Sequence, residues 1–182
     1  FIALPTTAGT GTEATRNAVI DVPEARRKVS LRDPRLLPAV ALVDPALTDH
    51  SPAAVTLASG LDAVTQVIEP YLSGQANRFT DALCRDAIPL GLTALRRLMA
   101  GEDPAARDDM AWVSLTGGLA LANARLGAVH GLAGPLGGMT DLPHGAIAGA
   151  LLPAALRANR AATHGATAAR IRAVEGWIAD AL

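Results

Sequence analysis

Two polar side chains interrupt the apolar stretch from Gly60 to Glu69, and their spacing is that of a helix. Asp62 and Gln66 are four residues apart, so both project from one face of a helix. A carboxylate buried among apolar residues needs a cation or several hydrogen-bond donors. This segment therefore predicts either a core aspartate with its donors or one ligand of a binding site.

Two histidines lie far downstream, in apolar and glycine-rich surroundings. His130 belongs to the segment VHGLAGPLGG at residues 129–138, and His144 belongs to LPHG at residues 142–145. Together with Asp62, their imidazoles would offer a divalent metal a mixed set of oxygen and nitrogen ligands. Periodicity cannot bring such distant positions together, so the residues alone leave two interpretations open. One is a metal site, and the other is a core aspartate with two histidines at turns.

Composition limits the kind of protein to which these residues belong. Of the 182 residues, 50% are hydrophobic but only 3% are aromatic, so Ala, Leu, Val and Ile must build the core, which suits close-packed helices. Charge is balanced, with 16 basic and 17 acidic side chains, and gives no nucleic-acid footprint. No apolar run reaches the ~20 residues of a membrane span. A single cysteine, Cys84, excludes an internal disulfide framework and favours a reducing cytoplasm.

The pattern of the chain changes near residue 50. Residues 1–4 and 38–45 are predicted to be buried parallel strands, because both are apolar and end at proline. Between them, the alternation at residues 15–21 and 28–31 predicts a β-hairpin with one covered face. From Ser51 onwards we expect only helices, with Ser51 and Asp103 as N-caps ahead of prolines. The helical segments are residues 60–72, 77–99, 103–126, a short helix from His130, 146–159 and 161–182.

This change in pattern predicts two domains. Residues 1–50 would be the last part of a nucleotide-binding α/β domain, and residues 51–182 an all-helical domain. Because the chain begins inside a strand, we expect it to be a fragment of a longer protein. Its strand edges would then lack partners, which leads us to expect a homodimer.

A loop rich in glycine and threonine follows the first strand. Its sequence, TTAGTGTE at residues 6–13, lets backbone amides and hydroxyls approach a ligand closely, as phosphate-cradling loops do. It matches neither GxGxxG nor GxxxxGK[ST]. Taken alone, the loop is therefore compatible with an ordinary turn.

Several of these motifs together resemble those of one known family. LPTTAGTGTE at residues 4–13, GLDA at 60–63, His130-Gly131 and PHG at 143–145 follow the order and approximate spacing of the iron-containing (group III) alcohol dehydrogenases. The resemblance runs over nearly the whole chain. It implies the remnant of an α/β dinucleotide-binding domain, with short parallel strands and a β-hairpin, followed by an all-α metal-binding domain. The architecture implied is dehydroquinate-synthase-like.

The resemblance also implies a reaction. Members transfer a hydride between a small alcohol or aldehyde and NAD or NADP, assisted by a divalent metal, with Fe(II) preferred over Zn. A maleylacetate-reductase-like enzyme is an alternative in the same superfamily, and a catalytically silent helical interaction module is an alternative outside it. Hydrolysis at the same residues lacks a candidate general base.

Residue by residue, the resemblance assigns the metal to Asp62, His130 and His144. Gln66 takes the place of a further histidine ligand. Its amide oxygen could bind a metal, but Gln is neutral and a poorer ligand than imidazole for iron or zinc. Gly134 stands where many relatives carry another histidine near the substrate. Its absence enlarges the pocket and removes a titratable group, which implies a different proton route or a bulkier substrate.

Five residues match positions that contact the cofactor in the family. They are Thr6, Thr7 and Thr10 of the loop, and Asn17 and Lys28 of the hairpin. Lys28 could pair with a cofactor phosphate as a point charge. We expect Asn17 and Lys28 to face each other near the base of the hairpin.

Overall fold

The amino-terminal residues form two small sheets of two strands each. In the computed structural model, which describes residues 1–182, strand β1 (Ile2–Ala3) pairs in parallel with β4 (Val40–Ala41). Strands β2 (Asn17–Val22) and β3 (Arg27–Arg32) form an antiparallel hairpin. The predicted parallel strands and the predicted hairpin are therefore confirmed, although the parallel strands are only two residues long.

The prediction that the parallel strands are buried is wrong. Phe1 is 70% exposed, Leu4 is 49% exposed and Leu42 is 52% exposed. Each strand has one neighbour in the sheet, so their outer edges and much of their apolar surface stay in solvent. The homodimer expected from these edges stays a prediction.

The hairpin register differs from the expected one. Asn17 pairs with Arg32 and Lys28 pairs with Asp21, so the expectation that Asn17 faces Lys28 is wrong. The reason lies in the turn, where Pro23–Ala25 forms a 3-10 turn and Arg26 takes a left-handed conformation with φ of 46°. This turn places Val22 opposite Arg27 in the hairpin. Lys28 therefore lies beside the turn, at the opposite end of the hairpin from Asn17. The expected covered face is covered only in part. Helix α4 contacts β3, and Ala18, Val22 and Val29 are half-buried, but Ile20 and Leu31 on the same face are each about half exposed.

Six helices make up the rest of the chain, as the hydrophobic periodicity predicts. They are α1 (Ala53–Leu72), α2 (Arg78–Ala100), α3 (Pro104–Ala124), α4 (Ala128–Met139), α5 (His144–Ala162) and α6 (Gly165–Ala181). Helix α1 lies at the centre, in contact with α2, α3 and α5. Its residues Val64, Val67 and Ile68 are almost wholly buried and form part of one continuous core. None of these helices is long and apolar enough to cross a membrane.

The helix starts show which cap predictions hold. Asp103 accepts a hydrogen bond from the Ala106 N–H, so its N-cap role at α3 is confirmed. The predicted cap at Ser51 is wrong. Pro52, with ψ of 139°, is still extended and takes the N-cap position, so α1 begins at Ala53. Ser51 then lies one residue outside the helix, and only its carbonyl oxygen takes part, accepting from the Thr56 hydroxyl.

The Gly/Thr loop is packed directly against α3. Gly11 has φ of 56°, and a β-carbon there would lie 2.2 Å from the carbonyl oxygen of Ser114. The Gly11 N–H donates to the Ser114 hydroxyl at 3.2 Å. On the helix side, a β-carbon at Gly118 would overlap the Gly11 carbonyl at 2.0 Å. Glycine is needed at both positions, and the helical part thereby fixes where the loop lies.

Candidate metal centre and cofactor loop

One carboxylate and two imidazoles meet where α1, α4 and α5 converge. Asp62 Oδ1 lies 3.4 Å from His130 Nε2 and 3.6 Å from His144 Nε2. One ligand atom from each of the three side chains lies within 4.8 Å of the others. This spacing suits bonds of about 2.0–2.2 Å from oxygen and nitrogen atoms to one central ion. The structure thus brings together the three residues that the sequence could not place by periodicity.

Close helix packing brings His144 to this point. A β-carbon on the next residue, Gly145, would lie 1.8 Å from the Ala58 carbonyl oxygen and 3.0 Å from Asp62 Cβ. Helix α5 therefore begins in direct backbone contact with α1, and only glycine allows that approach. As a consequence, the imidazole of the first residue of α5 lies beside the Asp62 carboxylate.

Two atoms of the cluster are buried without a hydrogen-bond partner. They are Asp62 Oδ1 and His130 Nε2, and they face each other. Burying an unsatisfied polar atom costs about 1–3 kcal/mol. A cation bound between them would accept a lone pair from each and remove that cost. The donor set, one carboxylate oxygen and two imidazole nitrogens, also suits Fe(II) or Zn, so the residues present fit a divalent metal.

Electrostatics couples the three side chains. Burial would lower the pKa of His130, but the adjacent Asp62 carboxylate and the hydrogen-bonded Glu69 carboxylate raise it to about 9. The pKa of His144 is lowered, chiefly by burial and further by the charges of His130 and Lys28, against the opposing effect of Asp62. A metal must displace the proton on a ligating nitrogen. Metal binding here should therefore release protons from His130 near neutral pH.

Gln66 connects the cluster helix to the Gly/Thr loop. Its buried amide donates to the Thr10 carbonyl oxygen at 2.5 Å. A β-carbon at Gly117 would lie 3.3 Å from the same amide nitrogen, so α3 closes the other side. Gln66 lies one helical turn from Asp62, and its amide nitrogen is used in the hydrogen bond to the loop. Only the amide oxygen of Gln66 remains for the ligand role that the sequence suggested.

The other predicted cofactor residues lie around the loop and the hairpin. Thr6, Thr7 and Thr10 are exposed. Lys28 lies against α4, because a β-carbon at Gly137 would lie 3.4 Å from Lys28 Nζ. Its charge reaches His144. The backbone of Asn17 is bonded to the Thr12 and Thr15 hydroxyls, so Asn17 lies just behind the loop.

Sequence reasoning missed Glu69, which lies on the same face of α1 as Asp62 and Gln66. It is buried and accepts a hydrogen bond from His130 Nδ1 at 2.6 Å. Positions 62, 66 and 69 follow the i, i+4, i+7 pattern of one helix face. A third polar residue on an otherwise apolar face was the pattern that could have identified it. His50 and His164, by contrast, are exposed and lie outside the cluster.

Comparison of the sequence with protein-family models and with known proteins identifies its family. The model described as "Fe-containing alcohol dehydrogenase family, C-terminal" matches residues 56–181, and "Iron-containing alcohol dehydrogenase" matches residues 1–45. The chain belongs to the iron-containing alcohol dehydrogenase family, and the resemblance that its sequence motifs indicated is confirmed. It is 44% identical over 160 residues to a 1,3-propanediol dehydrogenase from Klebsiella pneumoniae, covering 87% of this chain and 41% of that protein.

Two solved structures show the same fold. A crystal structure of 1,3-propanediol oxidoreductase superposes with a TM-score of 0.86 at 37% identity, covering 99% of this chain and 52% of that one. Sulfoacetaldehyde reductase from Bifidobacterium kashiwanohense, solved in complex with NAD+, gives a TM-score of 0.82 at 30% identity, covering 97% and 51%. The predicted fold class is thereby confirmed. The chain spans about half the length of these solved relatives.

Proposed function

We propose that this chain provides the metal-binding part of an NAD(P)-dependent alcohol dehydrogenase acting on a small alcohol or aldehyde. The observation that carries the proposal is the convergence of Asp62, His130 and His144, with two of their atoms buried and unpartnered. A silent helical module has no need of such a cluster. The relatives named for propanediol and sulfoacetaldehyde support the class of substrate.

Asp62, His130 and His144 would hold the metal, with Fe(II) preferred over Zn. When bound, the metal supplies Lewis-acid polarisation of the alcohol or carbonyl oxygen. His144 is the most accessible of the three, with 32% of its side chain exposed. We therefore place the substrate on the His144 side. Gly134, one turn of α4 after His130, would not obstruct it, because a β-carbon there would meet nothing within 4 Å. Gln66 would contribute, if at all, through its amide oxygen.

The loop and the hairpin would hold the nicotinamide cofactor. Thr6, Thr7 and Thr10 offer exposed hydroxyls and amides on a loop that α3 fixes in place. Lys28 lies against α4, at the turn end of the hairpin, and supplies a positive charge suited to a negatively charged part of the cofactor. Asn17 supports the loop from behind through Thr12 and Thr15. The relative solved with NAD+ supports a nicotinamide cofactor.

The experiment is a cofactor-linked assay of this chain loaded with Fe(II) or Zn and built into a full-length dehydrogenase, because the chain spans about half the length of its solved relatives. Reduction of NAD or NADP is followed with a panel of small alcohols, including 1,3-propanediol. We expect turnover that His144→Ala abolishes and His164→Ala retains, because His164 is an exposed histidine outside the cluster. Turnover that survives His144→Ala, or none in the loaded full-length protein, contradicts the proposal.

A further inference from the structure

Glu69 is a buried carboxylate with three donors from the start of α4. Its Oε1 accepts from the Val129 N–H at 2.7 Å. Its Oε2 accepts from the His130 N–H at 3.3 Å and from His130 Nδ1 at 2.6 Å. Only 6% of the residue is exposed. A residue of α1 thus binds both the backbone and the side chain at one end of another helix.

The backbone contacts replace a missing helix cap. Helix α4 begins after Gly127, which has no side chain to accept from the first N–H groups of the helix. Those groups need an acceptor when they are buried. Glu69 provides it from outside, and its negative charge also suits the positive end of the helix dipole. Gly127 makes room for it, since a β-carbon there would lie 2.8 Å from Glu69 Oε1.

The side-chain contact determines which nitrogen of His130 faces Asp62. A carboxylate only accepts hydrogen bonds, so Nδ1 of His130 must carry the proton in this contact. The other ring nitrogen, Nε2, then points at Asp62 Oδ1 without a hydrogen-bond partner. A metal-ligating histidine is commonly held in this way, through its second ring nitrogen.

We propose that Glu69 is a positioning residue of the metal centre, which orients His130 by binding its Nδ1–H while it caps α4. The inference rests on the proposed metal site. Its two functions are linked by geometry, because the same carboxylate fixes both the helix end that carries His130 and the rotation of its ring.

An amide cannot replace this carboxylate. Glutamine has the same shape, but it has one acceptor oxygen and one donor nitrogen. If its oxygen meets the Val129 N–H, its NH2 group faces His130 Nδ1 and favours the ring tautomer with the proton on Nε2. If its oxygen meets Nδ1–H, the NH2 group opposes the Val129 N–H. In both orientations at least one contact of Glu69 is lost without a change in volume.

The test compares Glu69→Gln with wild type by calorimetric Zn titration and by 15N NMR of the histidine rings. We expect Zn affinity to fall about 10- to 100-fold, and the hydrogen-bonded Nδ1–H of His130 to disappear when the amide nitrogen faces the ring. Asn77→Ala is the matched control, because it removes the side-chain cap of α2, away from the cluster. It should lower stability and leave both Zn affinity and the His130 signal unchanged.

The two measurements separate this inference from the proposed metal site. If wild type binds Zn and Glu69→Gln binds it within twofold, with the Nδ1–H signal retained, the inference is overturned. If wild type takes up no Zn, the proposed metal site fails, and the role of Glu69 as a positioning residue of that site is overturned with it. Absence of a hydrogen-bonded His130 Nδ1–H in wild type overturns the inference even if the variant does not fold.

Discussion

Replacement of Gly11 by alanine should be far more destabilising than the same change at Gly165. Both glycines have a left-handed backbone, with φ of 56° and 62°, so both substitutions incur the same cost of roughly 1–2 kcal/mol for a side chain there. Their surroundings differ. A β-carbon at Gly11 would lie 2.2 Å from the Ser114 carbonyl oxygen and 2.6 Å from the Gly118 nitrogen, whereas at Gly165 it would meet nothing within 4 Å.

The difference between the two variants measures how tightly the loop is held on α3. Helix backbone cannot yield, so the loop must move, which costs about 1–3 kcal/mol by analogy with overpacking. The Gly11 hydrogen bond to Ser114 is lost as well, at about 0.5–1.5 kcal/mol. We therefore expect Gly11→Ala to be about 2–4 kcal/mol less stable than Gly165→Ala in urea unfolding. This corresponds to a Tm at least about 4 °C lower. Equal destabilisation of the two variants would refute the packing of the loop described above.

Three further predictions concern stability, measured by thermal or urea unfolding. Asn77→Ala removes the side-chain cap of α2 and should cost about 1 kcal/mol; no change would show that the cap is absent in solution. In α4, Gly134→Ala should be neutral or stabilising by up to about 1 kcal/mol, because its β-carbon meets nothing within 4 Å. Gly138→Ala should cost about 1–3 kcal/mol, because its β-carbon would lie 2.3 Å from the β3 backbone. Equal stability of the Gly134→Ala and Gly138→Ala variants would contradict this contact. Arg107 donates a hydrogen bond to Glu102 and lowers the pKa of that carboxyl from 4.5 to about 2. The stability that this ion pair contributes is therefore present above pH 4.5 and lost as pH falls towards 2. Glu102→Gln should therefore lose less stability than wild type across that range, and parallel acid profiles would contradict the ion pair.

The sequence predicted the helical part well because local chemistry determines most of it. Periodicity marks α1 to α6, and Asp103 ahead of Pro104 marks the start of α3 correctly. The same rule failed at Ser51, because it does not specify whether the proline occupies the N-cap or the first helical position. In this chain Pro52 is the N-cap.

Other features depend on partners that a local pattern does not contain. Burial of the short strands was overpredicted because apolar composition does not reveal whether another element covers a strand. The partners of Asn17 and Lys28 across the hairpin depend on the length of the turn, because the turn sets the register of every pair in the two strands. The metal cluster was predicted through family motifs, since three separate helices supply its residues. Glu69 was missed because its role depends on the start of α4, sixty residues away.

Metal content is the most direct test of the central claim that Asp62, His130 and His144 form a metal centre. Elemental analysis of the chain, purified without chelators, should find about one Fe or Zn per chain. His144→Ala should lose this metal, and His164→Ala should keep it. Metal that is absent from all three proteins, or equally present in His144→Ala, would contradict the account.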